Sequence, residues 1–322
     1  MKMFVTGAAG FIGSNYVRWL MENTDTEVTV FDALTYAGVR ENLTEFDGSS
    51  RFTFVQGDIT DRDAVAAALP GHSHVVHFAA ESHVDRSIMG PDAFINTNVL
   101  GTNIMCDVAR LNDVERFLHI STDEVYGSID EGSFVETDGL EPRSPYSASK
   151  ASSDLVALAY RETYGLPVVI TRSANQFGPY QFPEKVIPLF VTNLADDFQV
   201  PLYGDGLNIR DWTYVVDNCA GVQMVLEQGA EGEIYNIGAG NELTNKELTH
   251  AILERCGKDE SSIEYVEDRL GHDRRYSIDT AKIRALGWAP DHSFEDALDL
   301  TVDWYNNNRA WWEPLKASVR NR

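Results

Sequence analysis

The segment Lys2–Thr6 followed by Gly7-Ala-Ala-Gly10-Phe-Ile-Gly13 constrains the fold of this chain more than any other stretch. A short apolar run leads into glycines at every third position, and residues 13–22 then show helical periodicity. A strand that turns sharply into a helix needs glycine where the backbone bends and where helix and strand touch. The unpaired N–H groups of the helix start then form an anion site. Further along, β-branched or apolar runs at 27–31, 52–56, 74–78, 116–120 and 167–171 alternate with helical patterns at 61–69, 91–111 and 146–164. That alternation predicts an α/β fold, a Rossmann-type doubly wound parallel sheet covered by helices on both faces.

A carboxylate sharpens the reading of the glycine turn. Asp32 ends the second strand, about 20 residues beyond Gly13, where it can accept hydrogen bonds from the ribose hydroxyls of NAD and repel the additional phosphate of NADP. Gly57-Asp58-Ile59 closes a third strand with a carboxylate suited to the adenine amino group. The small residues of His77-Phe-Ala-Ala-Glu81 let a cofactor lie against the backbone at the end of a fourth. Ligands of open α/β sheets bind at such strand ends.

Two further runs carry chemistry. Tyr146 and Lys150 in Tyr-Ser-Ala-Ser-Lys are one helical turn apart and share a face. A free tyrosine is a poor base at neutral pH, but a nearby ammonium and a positive nicotinamide both favour its phenolate. Upstream, Ser121-Thr122 ends a strand and Asp123-Glu124 follows at once. A threonine hydroxyl there can bond a reacting sugar oxygen, and an adjacent acid and base can expel water.

The second half of the chain is different. Pro and Gly become frequent after about Asn175 (Gly178-Pro179, Pro183, Pro188, Pro201, Gly204, Gly206). Residues 217–227 read as a helix and 233–237 as one more strand of the sheet, while 244–256 and 294–307 read as helices of a smaller part. The expected organisation is a dinucleotide-binding domain over 1–175, with 211–238 returning to it, and a mixed α/β lobe over 176–210 and 239–322.

Composition excludes several classes. The 322-residue chain carries 50 acidic and 26 basic residues, a net charge of −24, which argues against nucleic acid or an anionic membrane as partner. The acids are dispersed (22–27, 58–63, Asp196-Asp197, 295–303), as expected of a surface adapted to high salt. No run of ~18 apolar residues exists, so no membrane span is expected. The first residues enter a strand without a basic, apolar leader, and the expected location is the cytoplasm. Cys106, Cys219 and Cys256 are far apart and read as reduced structural thiols, and no His/Cys/carboxylate spacing suggests a metal.

The glycine turn with Tyr146-x-x-x-Lys150 resembles the extended short-chain dehydrogenase/reductases, and within them the dTDP-glucose 4,6-dehydratase family. The matching runs are 77–87, 121–127 with its Asp123-Glu124 signature, 178–185, 203–212 and 271–279. The chain departs from that pattern at Asn175-Gln176-Phe177, where the family has Asn-Asn-Tyr, and at Leu270, where it has Pro. The resemblance implies oxidation of a nucleotide-linked glucose at carbon 4 by Tyr146 and NAD, with Thr122 orienting. Elimination follows with Glu124 as base at carbon 5 and Asp123 as acid on the carbon-6 hydroxyl, and then reduction at carbon 6. It implies an NAD site of Gly7, Gly10, Phe11, Ile12, Gly13, Asp32, Leu34, Thr35, Asp58, Ile59, Phe78, Ala79, Ala80, Ser82 and Thr97 with Tyr146 and Lys150. It implies a nucleotide-sugar site of Ser82, His83, Thr122, Asn175, Lys185, Val186, Pro201, Tyr203, Arg210, Asn245, His272, Asp273 and Tyr276. Lys185, Arg210 and either Arg274 or Arg275 are the candidate pyrophosphate cations. Trp311-Trp312 reads as packing. A homodimer through the helices at 91–111 and 146–164 is also implied.

The competing readings are a nucleotide-sugar 4-epimerase, which has no use for the acid pair, and a decarboxylase, whose relatives keep the Glu without the preceding Asp. A non-catalytic NAD-binding protein on the same fold is the third; it has no need of Thr122, Asp123, Glu124, Tyr146 and Lys150 together.

Overall fold

Seven strands lie side by side and all run the same way, so every connection between them must cross a face of the sheet. They are β1 (Lys2–Thr6), β2 (Glu27–Asp32), β3 (Phe52–Gln56), β4 (His74–His77), β5 (Arg116–Thr122), β6 (Val168–Ser173) and, later in the chain, β10 (Ile234–Ile237). Their order is β10-β6-β5-β4-β1-β2-β3. This computed structural model describes residues 1–268 and 271–320; Leu270 lies outside the described residues. The strand order reverses at β1: β2 lies on one side of it and β4 on the other. A crevice therefore opens between β1 and β4 at their carboxyl ends, the usual ligand position in such sheets.

Helices α1 (Phe11–Asn23), α2 (Arg62–Ala68), α3 (Val84–Met89), α4 (Pro91–Phe94), α5 (Thr102–Leu111) and α6 (Pro145–Tyr164) form the crossovers of the first half. Helix α8 (Val215–Gln228), with Val215, Cys219 and Val222, buries Tyr16, Val17 and Leu20 of α1 on one face of the sheet. Ile104, Met105 and Val108 of α5 and Ala157 of α6 cover the other with Val65 of α2. The inner strands are buried on both faces, which is why they read as apolar runs rather than as alternating patterns.

The helix expected over 91–111 is interrupted. Ile95–Gly101 forms a π-helical turn between α4 and α5. The wider turn brings the Asn98 amide to the Glu81 backbone (2.8 and 3.0 Å) and to Ser149 Oγ (2.8 Å). Apolar periodicity is blind to such a local widening, which the side-chain amide holds in place.

Among the described residues, five strands outside the central sheet did not register in the sequence, because each is short and lies among turns. They are β7 (Asn175–Phe177), β8 (Val200–Tyr203), β9 (Ile209–Tyr214), β11 (Glu242–Thr244) and β12 (Ile263–Val266). β9 sits between β11 and β7, and β12 pairs with β8. Helices α7 (Val186–Ala195), α9 (Asn245–Arg255), α10 (Ala281–Ala285), α11 (Phe294–Asn307) and α12 (Arg309–Arg320) complete the chain. α7, α9 and α11 share a second core with Trp212 and Trp312. Trp312 is fully buried with its indole N–H on the Tyr305 carbonyl, and Trp311 bonds Asn42 across to the first half. Ile283 and Trp288 pack into the core of the central sheet, so chain and core do not divide at one boundary.

Candidate active site

The cleft at the β1/β4 crevice follows from the glycine turn. Gly7 has φ of +68°, and a Cβ there would lie 2.5 Å from the Ala79 nitrogen, so only glycine lets β1 and the end of β4 approach this closely. A Cβ at Gly13 would lie 2.6 Å from the Ala8 Cα. Asp32 is buried with one oxygen on the Ala9 N–H and the other on the Leu34 N–H, both at 2.8 Å. Burial raises its pKa, and the two backbone donors oppose that rise. Each carboxylate oxygen keeps a lone pair for a further donor.

The cleft of about 320 Å³ is lined by Gly7, Gly10, Phe11, Ile12, Gly13, Asp32, Thr35, Asp58, Ile59, Phe78, Ala79, Ala80, Ser82, Thr97, Tyr146 and Lys150, which are the expected cofactor residues with one exception. Leu34 does not line it. It takes φ of +53° and contributes its N–H to Asp32 instead. Ser121 Oγ, Ser173 Oγ, Asn175 Oδ1 and Gln176 Oε1 belong to lining residues, are buried, and make no hydrogen bond within the protein. A glycine cradle, a buried carboxylate at the end of β2 and unsatisfied polar atoms together fit a dinucleotide such as NAD.

The reacting groups enter from two elements. Thr122 ends β5, and Asp123–Tyr126 forms a single 3₁₀ turn that starts on its side chain: Thr122 Oγ1 accepts the Glu124 N–H at 3.3 Å. Tyr146 and Lys150 lie in the first turns of α6, which Ser144 and Ser147 cap reciprocally and Pro145 opens. Thr122, Glu124, Tyr146 and Lys150 line the cleft. Asp123 does not; it is buried beside them, with Oδ1 accepting from Thr122 at 3.2 Å. Burial and the Glu124 charge push the Asp123 pKa up to about 8, against the pull of Arg210. Lys150 donates to the Ile120 carbonyl at 2.7 Å, and burial lowers its pKa to about 8, against the pull of Asp154.

The expected lowering of the Tyr146 pKa is not what the protein alone produces. Burial, then Glu124 and Asp123, raise it above the usual phenol value, and a hydrogen bond with Thr122 works the other way. Desolvation of a phenolate beside two carboxylates outweighs the ammonium one turn away.

A family model described as GDP-mannose 4,6 dehydratase matches residues 4–301. A dTDP-glucose 4,6-dehydratase of Streptomyces antibioticus is 54% identical over 323 residues, covering 98% of this chain and 96% of that protein. The chain belongs to the dTDP-glucose 4,6-dehydratase family. The low-salt glycan biosynthesis protein Agl12 of Haloferax volcanii is also 54% identical, over 95% of this chain and 98% of that protein. Among solved structures, DesIV, a dTDP-glucose 4,6-dehydratase from Streptomyces venezuelae with NAD bound, is 56% identical with a TM-score of 0.96, over 98% of this chain and 100% of that chain.

The substrate residues expected of this dehydratase family are spread over several elements. Asn175 on β7, Ser82 and Lys185 line the cleft, and Lys185 Nζ bonds the Ser82 carbonyl at 3.1 Å. Val186 opens α7, Pro201 and Tyr203 lie on β8, Arg210 on β9, and Asn245 opens α9. His83 caps α3 and approaches Glu184 at 3.9 Å, and His272 bonds Asp268 at 2.6 Å. Arg210 is buried over the Tyr276 ring and donates to the Asp273 carbonyl, while Tyr276 donates to the Asp273 carboxylate at 2.7 Å. Apart from Asn175, Ser82, Lys185 and Thr122, none of these lines the cleft. Arg210 and Tyr276 nevertheless reach the acid pair electrostatically: Arg210 acts on Asp123, and burial followed by Glu124 raises the Tyr276 pKa. Arg274 is paired with Asp205 and Arg275 with Glu242.

The sequence missed a group at the cleft mouth. Tyr36, Glu81, Gln181, Phe182 and Glu184 all line it, and Arg86 lies 3.7 Å above the Tyr36 ring. Three loops distant in sequence assemble this group, and the runs 77–87 and 178–185 carry all of it but Tyr36. Among the described residues no group of three or more His, Cys, Asp or Glu could hold a metal ion.

Proposed function

We propose that the chain is an NAD-dependent lyase that dehydrates a nucleoside-diphosphate glucose, dTDP-glucose first among them, to the 4-keto-6-deoxy sugar. The observation that carries this reading is the Asp123–Glu124 pair beside Tyr146 and Lys150. An epimerase or decarboxylase has no need of a buried aspartic acid held in its protonated form at neutral pH. Family membership at 54% identity supports it.

The residues divide the work. Gly7, Gly10 and Gly13 would cradle the NAD pyrophosphate at the start of α1, Asp32 its adenosine ribose, and Lys150 its nicotinamide ribose. Bound NAD supplies the hydride acceptor for carbon 4, the hydride donor for carbon 6 and a positive charge that offsets the raised pKa of Tyr146. Tyr146 takes the proton of the carbon-4 hydroxyl while Thr122 holds that oxygen. The ketone so formed acidifies the hydrogen on carbon 5, which Glu124 removes. Asp123 protonates the carbon-6 hydroxyl, which leaves as water, and carbon 5 regains a proton as carbon 6 is reduced. Arg210 and Lys185 are the cations for the substrate pyrophosphate.

Two further features belong to this proposal. Ile95, Leu100 and Leu111 along 95–111, Leu155 and Tyr164 on α6, and Met89 just before α4 are all exposed in one protomer, which supports a homodimer packed through these helices. No helix of the described residues is long and apolar enough to cross a membrane, and a nucleotide-sugar substrate is in keeping with work in the cytoplasm.

Incubation with dTDP-glucose or UDP-glucose, NAD and high salt, followed by alkali, should reveal the absorbance of the 4-keto-6-deoxy product. Absence of a keto product from both sugars overturns the dehydratase reading, and preference between them identifies the base.

A further inference from the structure

Asp154 continues the buried face of α6 that Tyr146 and Lys150 begin. Asp154 lies one turn further along α6, fully buried, with one carboxylate oxygen 2.9 Å from Arg172 Nε and the other 3.3 Å from His119 Nε2. Arg172 comes from β6 and His119 from β5, so three elements converge on one carboxylate. Ser153 joins them, its hydroxyl 3.1 Å from His119 Nε2 and donating to the Lys150 carbonyl at 2.8 Å. Arg172 also stacks over the Tyr126 ring at 4.7 Å.

The charges in this wall do not balance without Asp154. Lys150 and Arg172 are both buried cations. His77 on β4 is held neutral by burial, with His119 and Lys150 adding to the effect, and His119 is held neutral by burial and Lys150. Asp123, Glu124 and Tyr146 sit on the cleft side. The remaining charged groups on helices packed against α6 are engaged elsewhere: Arg86 over Tyr36, Asp107 with Arg62 and Arg110, while Asp92 is exposed. Asp85 on α3 is half-buried. A buried ammonium keeps its proton only where an anion offsets its desolvation.

We infer that Asp154 is a positioning residue for the redox half of the reaction: through the Asp154–Arg172–His119 cluster it holds Lys150 protonated and aimed at the cleft. This rests on the proposed roles of Tyr146 and Lys150. Burial lowers the Lys150 pKa to about 8, and Asp154 is the group that opposes this fall.

The test reads Lys150 itself and then its step. The chain has seven lysines, so ¹³C-labelled lysine can be followed by NMR as pH is raised, with Lys150→Met assigning the signal. Asp154→Asn should lower the Lys150 midpoint by about one pH unit or more. Ser153→Ala, which removes a buried hydrogen bond but no charge, should leave it in place. In an Asp123→Asn, Glu124→Gln background, where elimination is blocked, the alkaline limb of NADH formation should move down by the same amount on adding Asp154→Asn. If Asp154→Asn does not fold, Arg172→Gln reads the coupling with opposite sign: the carboxylate is left to Lys150 and the midpoint should rise. A folded Asp154→Asn protein with an unmoved Lys150 midpoint, or a folded Arg172→Gln protein whose midpoint stays or falls, overturns the inference. Loss of NADH formation in the background itself, with the NMR midpoints shifting as stated, would overturn the proposed function and leave the Asp154 coupling intact.

Discussion

Asp123 accepts a hydrogen bond from Thr122 Oγ1 at 3.2 Å while buried against Glu124, and its carboxyl is held protonated up to about pH 8. The residue before it ends a strand and the residue after it lines the cleft, so one short turn carries an orienting hydroxyl, an acid and a base.

The raised pKa makes Asp123 a cost to the fold at neutral and alkaline pH. In the unfolded chain the carboxyl ionises near 3.8, and in the folded chain near 8, so the folded state binds more protons between these values. Stability conferred by the neutral form is present below pH 4 and is lost as pH rises toward 8. Asp123→Asn removes the ionisation penalty. It should raise unfolding stability by ~1–3 kcal/mol at pH 8 and by less at pH 5, measured by denaturant melts, while activity falls.

The same geometry separates the two halves of the reaction. Asp123→Asn with Glu124→Gln should lower overall turnover by ~10²–10⁴-fold yet still oxidise carbon 4, so NADH absorbance should build up in a single turnover. If the variant folds and no NADH forms, the pair does not act after oxidation and the division of roles is wrong.

Gly7 is the position at which cofactor binding is easiest to break. Gly7→Ala would place a Cβ 2.5 Å from the Ala79 nitrogen at a left-handed φ. Isothermal titration should show NAD affinity reduced at least about tenfold, with a stability loss of ~1–3 kcal/mol. Unchanged affinity would mean that β1 and the end of β4 can move apart without consequence.

Net charge sets the salt response. Glu22, Asp25, Glu27, Asp61, Asp63, Glu295, Asp299 and Asp303 are all exposed, and the whole chain carries −24. Their mutual repulsion is screened only when ions are abundant. The melting temperature should rise with added KCl and fall on dilution into low salt; a melting temperature independent of salt would remove the argument for adaptation to brine.

The interface proposal is checked by one exposed leucine. Leu155→Glu on α6 should shift the protein from dimer toward monomer in light scattering with its folded spectrum intact, since a charge in an apolar helix interface is left unpaired. A dimer that survives places the contact elsewhere.

What the sequence by itself determined is the set of local patterns that carry the site. The turn at Gly7–Gly13, the carboxylate ending β2, the one-turn spacing of Tyr146 and Lys150 and the run Thr122-Asp123-Glu124 are local patterns, and each sits where its period placed it. Bounds of α11 coincide with the apolar pattern because it buries a regular face. Tertiary structure alone decided the electrostatics and the irregular parts. Asp123 becomes an acid because folding excludes water from it beside the Glu124 charge, with Asp211 of β9 adding to the rise and Arg210 of β9 opposing it. Asp154 acquires its partners from β5 and β6, Tyr36 acquires Arg86 from α3, and the π turn at 95–101 exists because Asn98 finds Glu81 and Ser149. A pKa and a packed contact depend on what folding brings within a few ångströms and on the water it removes, and neither is recorded in the spacing of residues along the chain.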